Sequence, residues 1–269
     1  MSKTILITGT SSGIGKATAQ YFQVQGWNVV ATMRTPEKAG DWVKHSKTLC
    51  ARLDVLDEVS IRRAVEAAWQ RFGTLDVVVN NAGFGLVGPF EAATGEAIER
   101  QFRTNVFGVM NVCRAVIPYF RERGGGTIIN VASMGGRITF PLYSLYHGTK
   151  WAVEGFSEAL QYELAQFNIR VKIVEPGPIK TDFYDRSMEV ISQPGLTAYD
   201  AYVKQTMPNM QKAGETAPGG EAVAKVIFKA ATDGSRKMRY PANSARILLA
   251  RKLLPDFVFF SIVRSAVEK

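Results

Sequence analysis

A glycine-rich turn between an apolar run and a helical pattern is the feature that most constrains the fold. Lys3–Thr8 is short, apolar and β-branched, which predicts a buried strand. The turn Thr8–Gly15 follows, with the sequence TGTSSGIG, and a helical pattern then occupies Lys16–Gln25. Its spacing differs from Gly-x-Gly-x-x-Gly, since three residues separate Gly9 from Gly13. Because a strand, glycine turn and helix in this order bring a pyrophosphate onto backbone N–H groups, the segment predicts a dinucleotide site.

Apolar runs of strand length alternate with helical patterns along most of the chain. The predicted strands are Lys3–Thr8, Asn28–Met33, Thr48–Asp54, Leu75–Val79, Thr127–Ala132, Ile169–Val174 and Met238–Pro241. The predicted helices include Lys16–Gln25, Glu58–Phe72, Gly95–Arg123, one that carries Tyr146 and ends near Phe167, and Glu221–Thr232. This alternation predicts an α/β fold with a doubly wound, Rossmann-like parallel sheet and helices on both faces. With no linker or internal repeat in sight, we expect a single domain over residues 1–269.

Composition excludes several classes of protein. The hydrophobic share of 46% and the charged share of 21% are ordinary for a globular domain. No run of about 18 apolar residues exists, so we expect no transmembrane segment, and the first residues do not resemble a signal peptide. Cys50 and Cys113 are predicted to be free thiols, which suits a reducing, cytoplasmic compartment. With only His45 and His147 and no clustered cysteines, we expect no metal.

Positive charge is concentrated at the carboxyl end. The formal net charge is +9, and from Ser235 onward eight Lys or Arg residues stand against Asp256 and Glu268. Such a tail suits either an anionic partner, a membrane surface included, or a solvated face with no partner. We expect no nucleic acid partner.

The end of the second predicted strand indicates which nicotinamide dinucleotide is bound. In NAD-binding proteins an acidic residue near this position holds the ribose hydroxyl. Here the strand ends in Met33-Arg34, and the next acid, Glu37, follows Pro36. A guanidinium binds a 2′-phosphate with two hydrogen bonds, so Arg34 predicts NADP(H).

Tyr146 and Lys150 are four residues apart in a predicted helix and therefore share a face. A neighbouring ammonium favours the phenolate and lowers the pKa of the tyrosine, which suits acid–base chemistry at a carbonyl or alcohol. Alone, the pair is weak evidence. Tyr143 has no lysine four positions on and is interpreted as a pocket wall, and His147 as structural.

Two segments lie outside the regular alternation of strands and helices, and either could contact the substrate. Residues 182–218 are apolar and aromatic without a clear period, which fits a lid over a lipophilic substrate or a small helical pair packed on the core. The extension over residues 243–269 predicts two amphipathic helices interrupted at Pro255. We expect these helices to pack on the lid or on another subunit rather than to attach to a membrane.

Together these residues resemble the short-chain dehydrogenase/reductase family over about residues 3–181. The matching pieces are Thr8-Gly9-x-x-x-Gly13-x-Gly15, Asn80-Asn81-Ala82-Gly83, Asn105, Ser133, Tyr146-x-x-x-Lys150 and Pro176-Gly177. Each piece is modest alone, but all of them occur in order at the spacings of the family.

The resemblance implies a role for each matching residue. Tyr146 would be the general acid, Lys150 would lower its pKa and hold the nicotinamide ribose, and Ser133 would bind the substrate oxygen. Asn105 would help to hold a water that relays protons through Lys150. The implied cofactor contacts are Gly9, Ser11, Ser12, Gly13, Ile14, Gly15, Arg34, Asp54, Val55, Asn81, Ala82, Gly83, Tyr146, Lys150, Pro176, Gly177, Ile179 and Thr181.

Within the family, the Ser11-Ser12 turn, the Ala-Thr-Met-Arg strand ending and the long tail are similar to the 17β-hydroxysteroid and retinol dehydrogenase branch. We therefore expect an NADPH-dependent reductase of lipophilic ketones, forming a homo-oligomer. The alternatives are a dehydrogenase working in the oxidising direction and an NADP-binding regulator without turnover. A doubly wound methyltransferase is disfavoured, because it would have no use for Tyr146 and Lys150.

Overall fold

The computed structural model describes residues 2–180 and 187–268. Its strands are β1 (Thr4–Thr8), β2 (Asn28–Met33), β3 (Thr48–Arg52), β4 (Val77–Asn80), β5 (Gly85–Val87), β6 (Gly126–Val131), β7 (Ile169–Pro176), β8 (Met188–Val190) and β9 (Arg239–Ala242). Its α-helices are α1 (Gly13–Val24), α2 (Glu58–Phe72), α3 (Gly95–Phe102), α4 (Gly108–Glu122), α5 (Ser144–Leu164), α6 (Asp200–Glu215), α7 (Gly220–Thr232), α8 (Ala245–Leu253) and α9 (Asp256–Val267).

Seven strands form one parallel sheet in the order β3-β2-β1-β4-β6-β7-β9. Ile5 on β1 pairs with Val29 on one side and with Val77 on the other. The chain order therefore reverses between β1 and β4, which opens a crevice at the carboxyl ends of these strands. The predicted single-domain, Rossmann-like fold is confirmed.

Side chains that alternate along the strands supply two apolar layers, one on each face of the sheet. Ile5 and Ile7 pack with Phe22 of α1 and Ile227 of α7. Leu6, between them in sequence, belongs to the opposite layer, which contains apolar side chains of α2, α4 and α5. Helices thus cover both faces of the sheet, as the sequence predicts.

The predicted helix Gly95–Arg123 differs from the structure at its centre. A five-residue π-helical turn, Arg103–Phe107, separates α3 from α4. Such turns insert an extra residue into an α-helix and are frequent at functional sites. Asn105 lies in this turn, so the prediction of one regular helix is wrong there.

From residue 187 to 218, the described part of the segment after β7, the chain forms a strand and a helix rather than a helical pair. β8 pairs in parallel with β5, and the Ile191 N–H donates to the Val87 carbonyl at 2.7 Å. Helix α6 follows. Residues 182–186, the start of the expected lid, lie outside the described residues.

The carboxyl-terminal extension forms two helices, α8 and α9, with Pro255 between them, as the sequence predicts. Tyr202 of α6 donates its hydroxyl proton to Glu268 at 3.0 Å, and Asn209 donates to the Val267 carbonyl at 3.1 Å. Helix α9 therefore packs against α6. Within the described part of the chain, no helix has the length and apolar character needed to cross a membrane.

Candidate active site

The turn after β1 adopts a backbone that requires glycine. Gly9 and Gly13 have φ angles of +72° and +54°, in the left-handed region. A Cβ on Gly9 would lie 2.9 Å from the Ala82 Cα, and one on Gly15 would overlap the Gly9 carbonyl oxygen. The turn therefore packs closely against Asn81 and Ala82, which follow β4.

Side chains of β1 and β4 fix this contact. Thr8 Oγ1 accepts hydrogen bonds from the Asn81 and Ala82 N–H groups, both at 3.0 Å. Asn81 Nδ2 donates to the carbonyls of Thr8 at 2.9 Å and Gly9 at 3.1 Å. Thr8 is a positioning residue that the sequence reasoning did not assign, although its place before Gly9 was the available signal.

Lys150 is buried on α5, one helical turn after Tyr146. Its ammonium donates to the Val131 carbonyl at 2.9 Å and lies 5.6 Å from the centroid of the Tyr146 ring. Burial lowers the pKa of Lys150 to about 8. The ammonium is therefore held at the end of β6, near the Tyr146 ring.

Ser133 follows β6 and begins a short turn, Met134–Gly136. Its Oγ accepts the Gly135 N–H at 3.0 Å. Because this bond uses an oxygen lone pair, the hydroxyl proton remains available for a ligand oxygen. A side chain on Gly135 would collide with His147, so the turn also packs closely on α5.

Asn105 lies outside the cavity lining and bonds two residues next to the site. Its Oδ1 accepts the Phe84 N–H at 3.0 Å, and its Nδ2 donates to the Phe84 carbonyl at 2.8 Å and to Thr149 Oγ1 at 3.1 Å. Thr149 in turn donates to the Tyr146 carbonyl at 2.7 Å. Asn105 thus connects the segment after β4 to the helix of Tyr146.

Tyr143 and His147 form part of the wall beside Tyr146. Tyr143 donates its hydroxyl proton to Met188 Sδ at 3.6 Å, and its ring stacks on His147 with centroids 5.5 Å apart. His147 Nδ1 accepts the Phe140 N–H at 3.2 Å. Burial lowers the pKa of His147 to about 4, so the imidazole is neutral at physiological pH.

One cavity of about 1210 Å³ opens at the carboxyl ends of the strands. The predicted site residues that line it are Gly9, Ser11, Ser12, Gly13, Ile14, Gly15, Arg34, Asp54, Val55, Asn81, Ala82, Gly83, Ser133, Tyr146, Lys150, Pro176, Gly177 and Ile179. Asn105 lies behind the wall, and Thr181 falls outside the described residues. Apolar residues line the cavity as well, among them Phe140, Met188, Met210, Ile247 and Val267.

The sequence profile of the short chain dehydrogenases matches residues 3–190. The chain belongs to the short-chain dehydrogenase family. An uncharacterized oxidoreductase of Schizosaccharomyces pombe is 41% identical over 86% of this chain and 98% of that protein. Retinol dehydrogenase 8 of Bos taurus is 34% identical over 90% of this chain and 82% of its own. The 3-ketodihydrosphingosine reductase of Bacteroides thetaiotaomicron is 45% identical over 67% of this chain and 65% of its own.

Solved structures agree with this assignment. A short-chain dehydrogenase from Streptomyces avermitilis matches with a TM-score of 0.83 and 31% identity, over 98% of this chain and 96% of that one. Two structures with the same fold differ in cofactor. One from Burkholderia phymatum is a complex with NAD (TM-score 0.81, 23% identity, 97% and 95% covered), and ElxO has NADP bound (0.75, 24%, 91% and 100%). The fold alone therefore does not distinguish NAD from NADP as the cofactor.

A nicotinamide dinucleotide fits the site of this short-chain dehydrogenase. At the amino end of α1, Ser12 makes no side-chain capping bond and the first turn contains no acidic residue. The N–H groups there suit a pyrophosphate, which the helix dipole also favours. Asp54 and Val55, which follow β3, and Lys150 on α5 line the same cavity as this turn.

Proposed function

We propose that this short-chain dehydrogenase is an NADPH-dependent carbonyl reductase that acts on lipophilic ketones. The observation that carries the proposal is the position of the Tyr146–Lys150 pair and Ser133. They line the same cavity as the glycine turn, and apolar side chains of α6, α8 and α9 line it too. A polar reacting end and an apolar binding wall are what a bulky ketone requires.

The chemistry follows from these side chains. When bound, the reduced nicotinamide supplies the hydride. Tyr146 donates its phenolic proton to the carbonyl oxygen, while the Ser133 hydroxyl hydrogen-bonds the same oxygen and stabilises its developing charge. Lys150 favours the phenolate that remains. Asn105 fixes Phe84 and Thr149 around the pair, and its part in a water relay to Lys150 stays a prediction.

Arg34 supports the choice of NADPH. It is exposed at the end of β2, lines the cavity together with Ser11 and Ser12, and has no acidic neighbour at the strand end. A guanidinium at this place attracts a 2′-phosphate. An acid would repel it.

Two relatives support the substrate class, because retinol and 3-ketodihydrosphingosine, named in the two proteins, are both lipophilic. The name retinol dehydrogenase also favours the second candidate, an enzyme that works mainly in the oxidising direction. The phenolate of Tyr146 would then act as the base.

The test is a panel of ketones, aldehydes and secondary alcohols of increasing apolar size, followed by the absorbance of the reduced cofactor. We expect NADPH consumption with bulky apolar ketones and little with small polar ones. NADP reduction with alcohols at neutral pH, without ketone reduction, would favour the second candidate. No turnover in either direction would contradict both.

We also propose a cytoplasmic homo-oligomer. Free Cys50 and Cys113 suit a reducing compartment. Exposed aromatic side chains on α5 and in the π turn, Trp151, Tyr162 and Phe107, suit a contact between subunits. Light scattering after size-exclusion chromatography measures the assembly, and a monomer at micromolar concentration would contradict it.

A further inference from the structure

A cluster of two buried carboxylates and two arginines begins one helical turn after Lys150 on α5. Glu154 is on α5, one turn after Lys150, and Glu175 is near the end of β7. Their side chains are 5% and 1% exposed. Burying acids is unfavourable, and buried ion pairs seldom add net stability, so their position beside a catalytic lysine calls for an explanation.

The arginines come from two other elements. Arg239 of β9 donates from Nε to Glu154 at 3.0 Å and from Nη2 to Glu158 at 3.2 Å. The same Nε is 3.8 Å from Glu175, and Arg137 lies 3.6 Å from Glu175 on the other side. Arg137 follows the turn of Ser133, and Glu175 precedes Pro176 and Gly177. The cluster therefore connects the backbone segments that carry the site.

Of the two buried carboxylates, only Glu154 lies on α5, the helix that carries Tyr146 and Lys150. A Cβ on Gly136 would lie 2.8 Å from Glu154 Cγ and 2.9 Å from the Lys150 carbonyl oxygen, so the Ser133 turn packs against both residues. Lys150 donates to a neutral carbonyl, that of Val131. Its buried ammonium gains stabilisation from the negative charge of Glu154, which raises the pKa of Lys150 against the effect of burial.

We propose that Glu154 is a positioning residue whose carboxylate, held by Arg239, keeps the Lys150 ammonium charged and extends catalysis to alkaline pH. The inference rests on the proposed function and adds a regulatory group to the same site. The charged groups facing Glu154 are Lys150 and Glu158 on its own helix, Arg137 beside the Ser133 turn, Glu175 on β7 and Arg239 on β9.

The direction of the pH effect follows from charge. Burial, and then the charge of Glu175, raise the pKa of Glu154 to about 7, while Arg239 and Arg137 oppose this rise. Below pH 7 Glu154 is protonated and contributes little. Above pH 7 its charge opposes loss of the proton from Lys150. Neutralising Glu154 therefore lowers the pH at which Lys150 loses its proton.

The experiment is the pH profile of kcat for the ketone that the wild type reduces best, with Glu154→Gln against wild type. We expect the alkaline fall of kcat to move down by about one pH unit. Two unpaired charges about 6 Å apart at an effective dielectric constant of about 20 would give about two units, and Arg239 offsets part of the charge of Glu154. At pH 6 we expect kcat within about threefold of wild type, because Glu154 is then mostly protonated and carries no more charge than the glutamine that replaces it.

Glu158→Gln is the matched control. It breaks an ion pair with the same Arg239, but Glu158 is 52% exposed and two turns from Lys150. Its profile should coincide with that of the wild type. Glu154→Asp keeps the charge and should also retain the wild-type alkaline midpoint, whereas Glu154→Met, a second neutral variant, should reproduce the shift.

A purely structural role would lower kcat equally at all pH values, and that result would overturn the inference. So would an unshifted profile in a folded neutral variant, or failure of both neutral variants to fold while Glu158→Gln folds. In each of these cases, ketone reduction by the wild type would still support the proposed function. A wild type inactive in both directions would overturn both.

Discussion

At the scale of single residues, Arg34 is the side chain that separates the two nicotinamide dinucleotides. Its guanidinium is exposed at the end of β2 and lines the cavity. We expect Arg34→Ala to raise the KM for NADPH by at least about tenfold, through loss of a charge-assisted contact to a phosphate, and the KM for NADH by less than about twofold. Initial rates with each cofactor measure this. An equal change in both would contradict the assignment of Arg34.

Single residues also differ in how far sequence can reveal them. Gly9, Tyr146 and Lys150 are recognisable because their chemistry depends on residue type and on neighbours within one turn. Glu154 is not recognisable in this way, and the resemblance to a family indicated Asn105 but not its partners, since both residues act through partners remote in sequence. Asn105 bonds Phe84, 21 positions away, and Glu154 binds Arg239, 85 positions away. Only the folded chain brings these pairs together.

At the scale of elements, Gly15 at the start of α1 and Gly155 on α5 form a matched pair of helical glycines. A Cβ on Gly15 would collide with Gly9 and Asn81, whereas one on Gly155, exposed on α5, meets nothing within 4 Å. We expect Gly15→Ala to weaken NADPH binding by at least about tenfold and to lower the Tm, because the turn must open. Gly155→Ala should bind normally and gain up to about 1 kcal/mol of stability from helix propensity.

Cofactor fluorescence titration and thermal unfolding measure the two effects. Normal binding by a folded Gly15→Ala variant would contradict the account of the turn.

Most elements could be predicted because a buried strand or an amphipathic helix carries its own pattern. α2 runs from Glu58 to Phe72 as predicted, with Gly73 ending it at a φ of +68°. The three-residue strands β5 and β8 are too short for a period, and their pairing depends on chain segments about 100 residues apart. The π turn at Asn105 was also missed, because its stabilising partners lie outside the helix.

At the scale of the whole molecule, the cavity joins the sheet to the carboxyl-terminal helices. Val267 of α9 is buried and lines the cavity, while Ile262 on the same helix is 52% exposed. We expect Val267→Ser to raise the KM for a bulky apolar ketone by about five- to tenfold, because apolar contact with the ligand is replaced by a hydroxyl. The KM for NADPH should not change.

Ile262→Ser is the control and should leave both constants at wild-type values. If Val267→Ser also left the ketone KM unchanged, or if it weakened NADPH equally, α9 would not form part of the substrate wall.

The most direct test of the central claim compares two tyrosines that line the same cavity. Tyr146→Phe should lower kcat for ketone reduction by at least about a hundredfold, since the proton donor is lost, while the Kd for NADPH stays within about twofold of wild type. Tyr143→Phe, which removes the same hydroxyl from the neighbouring wall, should keep kcat within about fivefold. Near-wild-type turnover by Tyr146→Phe, or an equal loss in both variants, would contradict the assignment of Tyr146 as the acid.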